Sequence, residues 1–114
     1  MNKCLKIKNY LAYIPQRLAW LKIFNVSQSN NEYKYYLELY ESIKQYGKNH
    51  KIFFYYITSK IKIDKYKEFY KVSERTAYRI LAKHCNEFIN FLSNKETELQ
   101  KKYPFENSIC YKEV

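Results

Sequence analysis

Residues 65–81 read KYKEFYKVSERTAYRIL, and this stretch decides the fold. Ser73 is a good helix N-cap, because its hydroxyl can accept a hydrogen bond from a backbone N–H of the first helical turn. The helix that starts at Glu74 is predicted to run at least to Leu92, since apolar side chains recur along it at the spacing of one helical face. This predicted buried face consists of Ala77, Ile80, Leu81, Cys85, Phe88, Phe91 and Leu92. Residues 63–70 are predicted as a shorter helix, so a tight turn joins the two.

Two further helices are predicted upstream. The first spans 32–46, where apolar residues again recur at helical spacing. Its predicted buried residues are Tyr33, Tyr36, Leu37, Tyr40 and Ile43. Gly47, the only glycine, is predicted to end this helix. Residues 51–60 contain IFFYYIT, which favours a strand by propensity. The helical unit that follows needs a third apolar helix in its core, so a buried helix is predicted here. A winged helix with a short β element at 51–58 is the alternative.

The N-terminal residues 1–24 are basic and apolar and are predicted to form an arm. Residues 3–14 are predicted as a short helix. Pro15 suits the first position of a second short helix over 15–24, because the N–H that proline lacks would have no helical partner there. The polar run NVSQSNN at 25–31 is predicted to be a loop that separates the arm from the rest.

The predicted fold is therefore a small all-α protein. It consists of the arm, a helical domain at 32–102 and a flexible tail at 103–114. The domain contains a C-terminal helix-turn-helix at 63–92.

The formal charge of +10 is concentrated in two parts of the chain. Residues 1–31 carry five bases and no acid, and residues 48–83 carry ten bases and three acids. The segments 32–47 and 84–114 each have one more acid than bases. Strongly basic small proteins commonly bind polyanions. An AT-rich genome also favours lysine codons, so the position of the charge is more informative than its total.

The three arginines are more informative than the lysines. They are Arg17, Arg75 and Arg79, so two of them lie within five residues of each other in the stretch quoted first. Arginine carries a planar fork that can donate two parallel hydrogen bonds to a phosphate or to a guanine edge, which lysine cannot do.

The pattern V-S-x-R-T-x-x-R-x-L at 72–81 resembles the helix-turn-helix of bacterial and phage regulators. Its context, 51–92, resembles the promoter-reading domain of sigma factors and the phage late-gene activators of the RinA and ArpU kind. The resemblance covers roughly a third of the chain, and nothing before Glu32 contributes to it. It implies binding to double-stranded DNA. Lys67 stands where the family commonly has a small residue, which suggests that the first helix is rotated or tilted away from the recognition helix. Lys71 stands where the family has glycine, and this departure is tolerated if Lys71 takes the left-handed conformation at a modest cost.

The resemblance also implies roles for individual side chains, because the N-terminal part of such a helix enters the major groove. The candidates for contacts with base edges are Glu74, Arg75 and Tyr78. The candidates for contacts with flanking phosphates are Lys67, Lys71, Ser73, Thr76, Arg79 and Lys83.

No catalytic, metal or membrane motif stands out. One glycine cannot build a glycine-rich phosphate loop, and no paired carboxylates or Ser/His/Asp set has a meaningful spacing, so no enzyme and no cofactor are expected. Cys4, Cys85 and Cys110 lack a C-x-x-C spacing, and His84 with Cys85 supplies only two ligands, so no metal is expected. The longest apolar run, 52–57, is far shorter than the roughly 20 residues that span a bilayer, so a cytoplasmic protein without membrane contact is expected.

The leading expectation is sequence-specific binding to duplex DNA in transcription regulation, by a protein of phage or mobile-element origin. The same motif suits an accessory protein for plasmid or phage partition, conjugation or packaging. A third reading is a protein–protein adaptor that uses the tyrosine-rich helices at 32–60, with RNA polymerase as a partner. A homodimer through residues 1–24 or the end of the long helix is an open alternative, because a lone module buries little DNA surface.

Overall fold

The computed structural model describes residues 3–24 and 30–105 of the 114-residue chain. Within these residues the chain forms α-helices and no strand. The helices are α1 at Lys3–Ile23, α2 at Asn31–Asn49, α3 at Lys51–Ile57, α4 at Ile63–Tyr70 and α5 at Glu74–Lys102. The all-α prediction is confirmed. The alternative with a β element at 51–58 is wrong, because that segment forms α3 and buries Phe53 and Ile57 on one helical face.

Helix α1 runs without a break through Pro15, so the predicted division into helices at 3–14 and 15–24 is wrong. Proline inside a helix costs about 3 kcal/mol, because it removes a backbone hydrogen bond and crowds the preceding turn. The exposed Pro15 is tolerated because one continuous stripe of α1 is buried, at about 1.5–3 kcal/mol for each large apolar side chain. The stripe consists of Ile7, Tyr10, Ile14, Leu18 and Leu21.

The α1 stripe belongs to the same hydrophobic core as the buried residues of α2 and α5. Tyr10 also donates a hydrogen bond to the carboxylate of Glu96 on α5, and both side chains are buried. Residues 3–24 are therefore part of the folded domain and do not form an arm outside it.

Helix α2 begins where Asn30 caps it: the Asn30 Oδ1 atom accepts a hydrogen bond from the backbone N–H of Glu32 at 2.8 Å. Its buried surface differs from the predicted stripe. Leu37 is 40% exposed, whereas Tyr35 and Leu39 are fully buried. The difference arises because α2 packs against α1, α3 and α5, so that more than one narrow stripe is covered.

Gly47 lies inside α2 and is buried, so the prediction that it ends the helix is wrong. Its role is to allow the close approach of α3. A Cβ atom at Gly47 would lie 2.5 Å from Cδ2 of Phe54, which is closer than two carbon atoms can pack. His50 then breaks the helix, with a φ of −137° and a ψ of 56°, and α3 starts at the next residue.

Aromatic rings join three helices in the centre of the domain. The ring centroid of Phe88 on α5 lies 5.0 Å from that of Tyr46 on α2 and 5.6 Å from that of Phe53 on α3. Half of the largest fully buried side chains are tyrosine or phenylalanine. These rings thus pack in the hydrophobic core, as expected from side chains that recur at the spacing of one helical face.

Two predictions fall mainly outside the described residues. Of the predicted loop at 25–31, only Asn30 and Asn31 are described, as the cap and the first residue of α2. Of the predicted tail at 103–114, only residues 103–105 are described. No helix in the described part of the chain has the length and apolar character needed to cross a membrane.

Candidate nucleic-acid interface

A three-residue turn, Lys71 to Ser73, joins α4 to α5. Lys71 adopts the left-handed conformation, with a φ of 55° and a ψ of 51°, so the condition under which the motif tolerates a lysine here is met. The backbone N–H of Val72 donates to the carbonyl of Lys67 at 3.1 Å and closes the end of α4. Ser73 caps α5 as predicted, because its Oγ atom accepts a hydrogen bond from the backbone N–H of Thr76. Local hydrogen bonds therefore fix the turn.

Helix α4 is attached to α5 through one buried side chain. Tyr66 is fully buried, and its hydroxyl lies 3.0 Å from Nδ1 of His84 on α5. The ring of Tyr70 also packs near His84, with centroids 5.9 Å apart. Burial lowers the pKa of His84, because the charged imidazolium loses its hydration there. Lys67 of α4 is half-buried, and Ala77 of α5 is fully buried.

The opposite side of α5 presents cations to solvent. Arg75, Arg79 and Lys83 are four residues apart, so they lie on successive turns of one helical side and span about 12 Å along the axis. All three are exposed, as is Lys71 in the turn. Within the described ranges, none of these four side chains forms a salt bridge or a hydrogen bond. Their charges are available to an external partner.

Arg17 differs from the other two arginines. Its guanidinium Nη2 and Nε atoms lie 2.6 Å and 2.7 Å from one carboxylate oxygen of Glu32, and it stacks over the ring of Trp20 at 4.3 Å. It therefore links α1 to the start of α2. The three arginines divide into one that holds the fold together and two that face solvent.

The remaining candidate side chains lie around this row. The Ser73 hydroxyl donates to the Thr76 hydroxyl at 3.1 Å, so both groups already have a partner in the cap. Glu74 is exposed in the first turn, where a carboxylate interacts favourably with the helix dipole. Tyr78 is 48% exposed. All nine predicted residues therefore lie on α4, in the turn or in the first half of α5.

The structure adds two cations that the sequence did not indicate. Lys8 of α1 and Lys62, in the link before α4, line a cavity of about 410 Å³ together with Tyr78. The charge of residues 1–31 was visible in the sequence, but nothing in the spacing placed Lys8 beside α5. Only the packing of α1 onto the domain makes this part of the same basic surface.

The side chains of His84 and Cys85 make separate contacts. The His84 ring contacts Tyr66, whereas the Cys85 Sγ atom lies 3.2 Å from the Cys4 Sγ atom. In the portion of the chain that the structure describes, no three His, Cys, Asp or Glu side chains converge as metal ligands would.

Comparisons with known proteins give no match. No family model fits the chain, and no curated protein or solved structure is significantly similar to it. The geometry of α4, the turn and α5 is therefore the basis for any functional reading.

Proposed function

We propose that this chain binds duplex DNA, with α4 and α5 acting as a helix-turn-helix and the first half of α5 in the major groove. The observation that carries the proposal is the row of exposed, unpaired cations on α5. Charged side chains on a helix are often paired with carboxylates three or four residues away. This chain has such pairs elsewhere on α5, as between Lys95 and Glu98 at 2.9 Å. Such pairs are absent from the row that includes Arg75 and Arg79.

The arrangement suits contacts of two kinds. Arg79 and Lys83, with Lys71 in the turn, are placed for phosphates beside the groove, which bind any sequence. Arg75 lies nearer the N-terminus of α5, where its fork can donate both hydrogen bonds to the O6 and N7 atoms of guanine. Glu74 and Tyr78 flank it and supply an acceptor and an apolar edge. Binding would therefore be sequence-specific, and regulation of transcription in a phage or mobile element is the role we propose for it.

A pair of lysine variants tests the phosphate contacts. Lys83→Ala and Lys101→Ala each remove one exposed lysine from α5, so they have the same net charge and differ only in position. The two sites are about 27 Å apart along the helix. Lys83→Ala is expected to weaken binding to all duplexes and to reduce the slope of log K against log salt by about 0.9, because one phosphate contact is lost. Arg79→Ala is expected to behave in the same way.

Lys101→Ala is expected to leave affinity and slope at the values of the unmodified protein. If the two lysine variants lose affinity equally, the effect is one of net charge and the placement of DNA on α5 is wrong. If the unmodified protein has no affinity for duplex DNA even at low salt, DNA binding itself is wrong, and a role in protein–protein contacts is favoured.

Arg75→Ala tests the specific contact. Selection of bound fragments from random duplex DNA first supplies a cognate site. The variant is then expected to lose affinity for this site, by about 1–3 kcal/mol, and to retain its affinity for random duplexes. An equal loss on both kinds of DNA would show that Arg75 contacts phosphate and does not read a base.

A further inference from the structure

The structure brings together two cysteines that are 81 positions apart in the chain. Cys4 lies in the first turn of α1 and is half-buried, whereas Cys85 lies in the middle of α5 and is buried. Their Sγ atoms are 3.2 Å apart, which is a hydrogen-bonding distance between thiols.

The pair is open to small solutes. Cys4 and Cys85 line a cavity of about 730 Å³, whose wall also includes Lys3 and Tyr78. Cys4 is the less buried of the two residues. A molecule of the size of hydrogen peroxide can therefore reach Cys4 without unfolding of the domain.

The two sulfur atoms are chemically unequal. The pKa of the Cys4 thiol is lowered to about 7, chiefly by the hydrogen bond from Cys85; burial opposes this lowering, and the positive charge of Lys8 adds to it. The same hydrogen bond and burial raise the pKa of Cys85. The thiolate is the nucleophilic form of cysteine, and the lowered pKa gives Cys4 the larger thiolate fraction, so Cys4 is the residue that reacts first with an oxidant.

We propose that Cys4 and Cys85 form a peroxide-oxidised thiol pair that closes a disulfide between α1 and α5. The Cys4 thiolate attacks one oxygen of hydrogen peroxide, the O–O bond breaks, and hydroxide leaves, so that Cys4 becomes a sulfenic acid. The Cys85 sulfur then attacks the Cys4 sulfur, the S–O bond breaks, and water leaves. In total, two thiols and one peroxide give one disulfide and two waters. A thiol reductant reverses the change.

The disulfide would stabilise the fold strongly. It closes a loop of about eighty residues and so restricts the unfolded chain much more than a local bridge does. Only a small movement is needed, because a disulfide bond length is about 2.05 Å and Cys4 lies in the terminal turn of its helix. Oxidation is expected to raise the melting temperature by on the order of 10 °C.

The experiment uses the full chain with Cys110→Ser, so that only the pair can react. Hydrogen peroxide is added in small excess, and the product is alkylated under denaturing conditions and weighed by intact mass spectrometry. We expect the chain to lose the mass of two hydrogen atoms, to resist alkylation, and to melt at the higher temperature until reductant is added. A gain of oxygen without a disulfide, or a rate no faster than that of free glutathione, would overturn the proposal.

Two further variants assign the roles in the same Cys110→Ser background. With Cys85→Ser, the Cys4 sulfenic acid cannot be resolved, so it is expected to accumulate and to be trapped by dimedone. With Cys4→Ser, the remaining buried thiol is expected to react much more slowly. If Cys4→Ser reacts as fast as the parent, the order of attack proposed here is wrong. None of these readouts depends on DNA, so they stand or fall separately from the proposed function.

Discussion

Replacing Lys71 with glycine is expected to stabilise the domain, although it removes a side chain from the candidate interface. Lys71 holds a left-handed backbone conformation at the end of α4, with a φ of 55°. The turn to Ser73 depends on that conformation, so the strain cannot relax while the turn is kept. Glycine adopts the same conformation without steric cost.

The magnitude follows from two opposing contributions. A left-handed conformation costs a residue with a Cβ atom about 1–2 kcal/mol. Glycine also stabilises the unfolded state by about 0.4–1 kcal/mol, because it makes the unfolded chain more flexible, and this offsets part of the gain. Lys71→Gly is therefore expected to raise the free energy of unfolding by about 0.5–1 kcal/mol, which corresponds to a rise in melting temperature of roughly 2–6 °C.

Lys71→Ala is the matched control, because it removes the same charge and keeps the Cβ atom. Urea unfolding of both variants should show a gain for glycine and no gain for alanine. For DNA, the two variants should be equal, each with a salt slope reduced by about 0.9 from the loss of one phosphate contact. Equal stability of the two variants would refute the strain argument, and unequal DNA affinity would refute the view that only the charge of Lys71 matters there.

Two other predictions concern the core. Gly47→Ala is expected to destabilise the domain by about 1 kcal/mol, because a clash with Phe54 of about 1–3 kcal/mol exceeds the gain of about 1 kcal/mol in helix propensity. In a Phe54→Leu background, urea unfolding should show that Gly47→Ala is neutral or stabilising. If Gly47→Ala still lowers the free energy of unfolding by the full amount there, a clash with the Phe54 ring is not the cause. His84, whose pKa is lowered by burial from its usual value of 6.5, resists protonation in the folded state, so the unfolded chain binds more protons below that pH. The free energy of unfolding should therefore fall as the pH drops from about 7.5 to about 5.5, and His84→Gln should flatten this slope; an unchanged slope would assign the acid sensitivity to other groups.

The C-terminal half of the fold was predictable because its signals are local. The cap at Ser73 and the apolar repeat of α5 each follow from a few neighbouring residues. Helix α3 was harder, because IFFYYIT favours a strand, and only the need for a third apolar helix pointed to the structure found. Here the packing requirement was a better guide than propensity.

The errors have a common physical cause, which is contact between residues distant in sequence. From the usual positions of proline and glycine at helix ends, Pro15 was predicted to start a helix and Gly47 to end one. Both instead lie inside helices. The burial of a long apolar stripe on α1 offsets the free-energy cost of Pro15, and the ring of Phe54 leaves no room for a Cβ atom at position 47. The bond between Tyr10 and Glu96 joins residues 86 positions apart, and no spacing rule detects such a pair.

The candidate interface was predictable in its residues but not in its extent. The nine side chains on α4, the turn and α5 follow from the motif and lie together. Lys8 and Lys62 join them only through the packing of α1 and the course of the chain after α3. The sequence also did not show which cations form ion pairs within the fold, since only the structure reveals that Arg17 pairs with Glu32.

Helix α5 carries the candidate interface on the solvent side of its first half and core contacts along its whole length, in one uninterrupted helix. The rotation of the cation row relative to the contact between Glu96 and α1 therefore depends on the number of residues between them. A single residue inserted near His84 would rotate Arg75 and Arg79 by about 100° about the helix axis relative to Glu96. The cap and the helix-forming residues around them would be unchanged. Seven inserted residues would bring the row back to within about 20° of its place. During evolution, length changes in this part of the molecule should thus be confined to the link between α3 and α4, or occur in α5 in multiples close to whole turns.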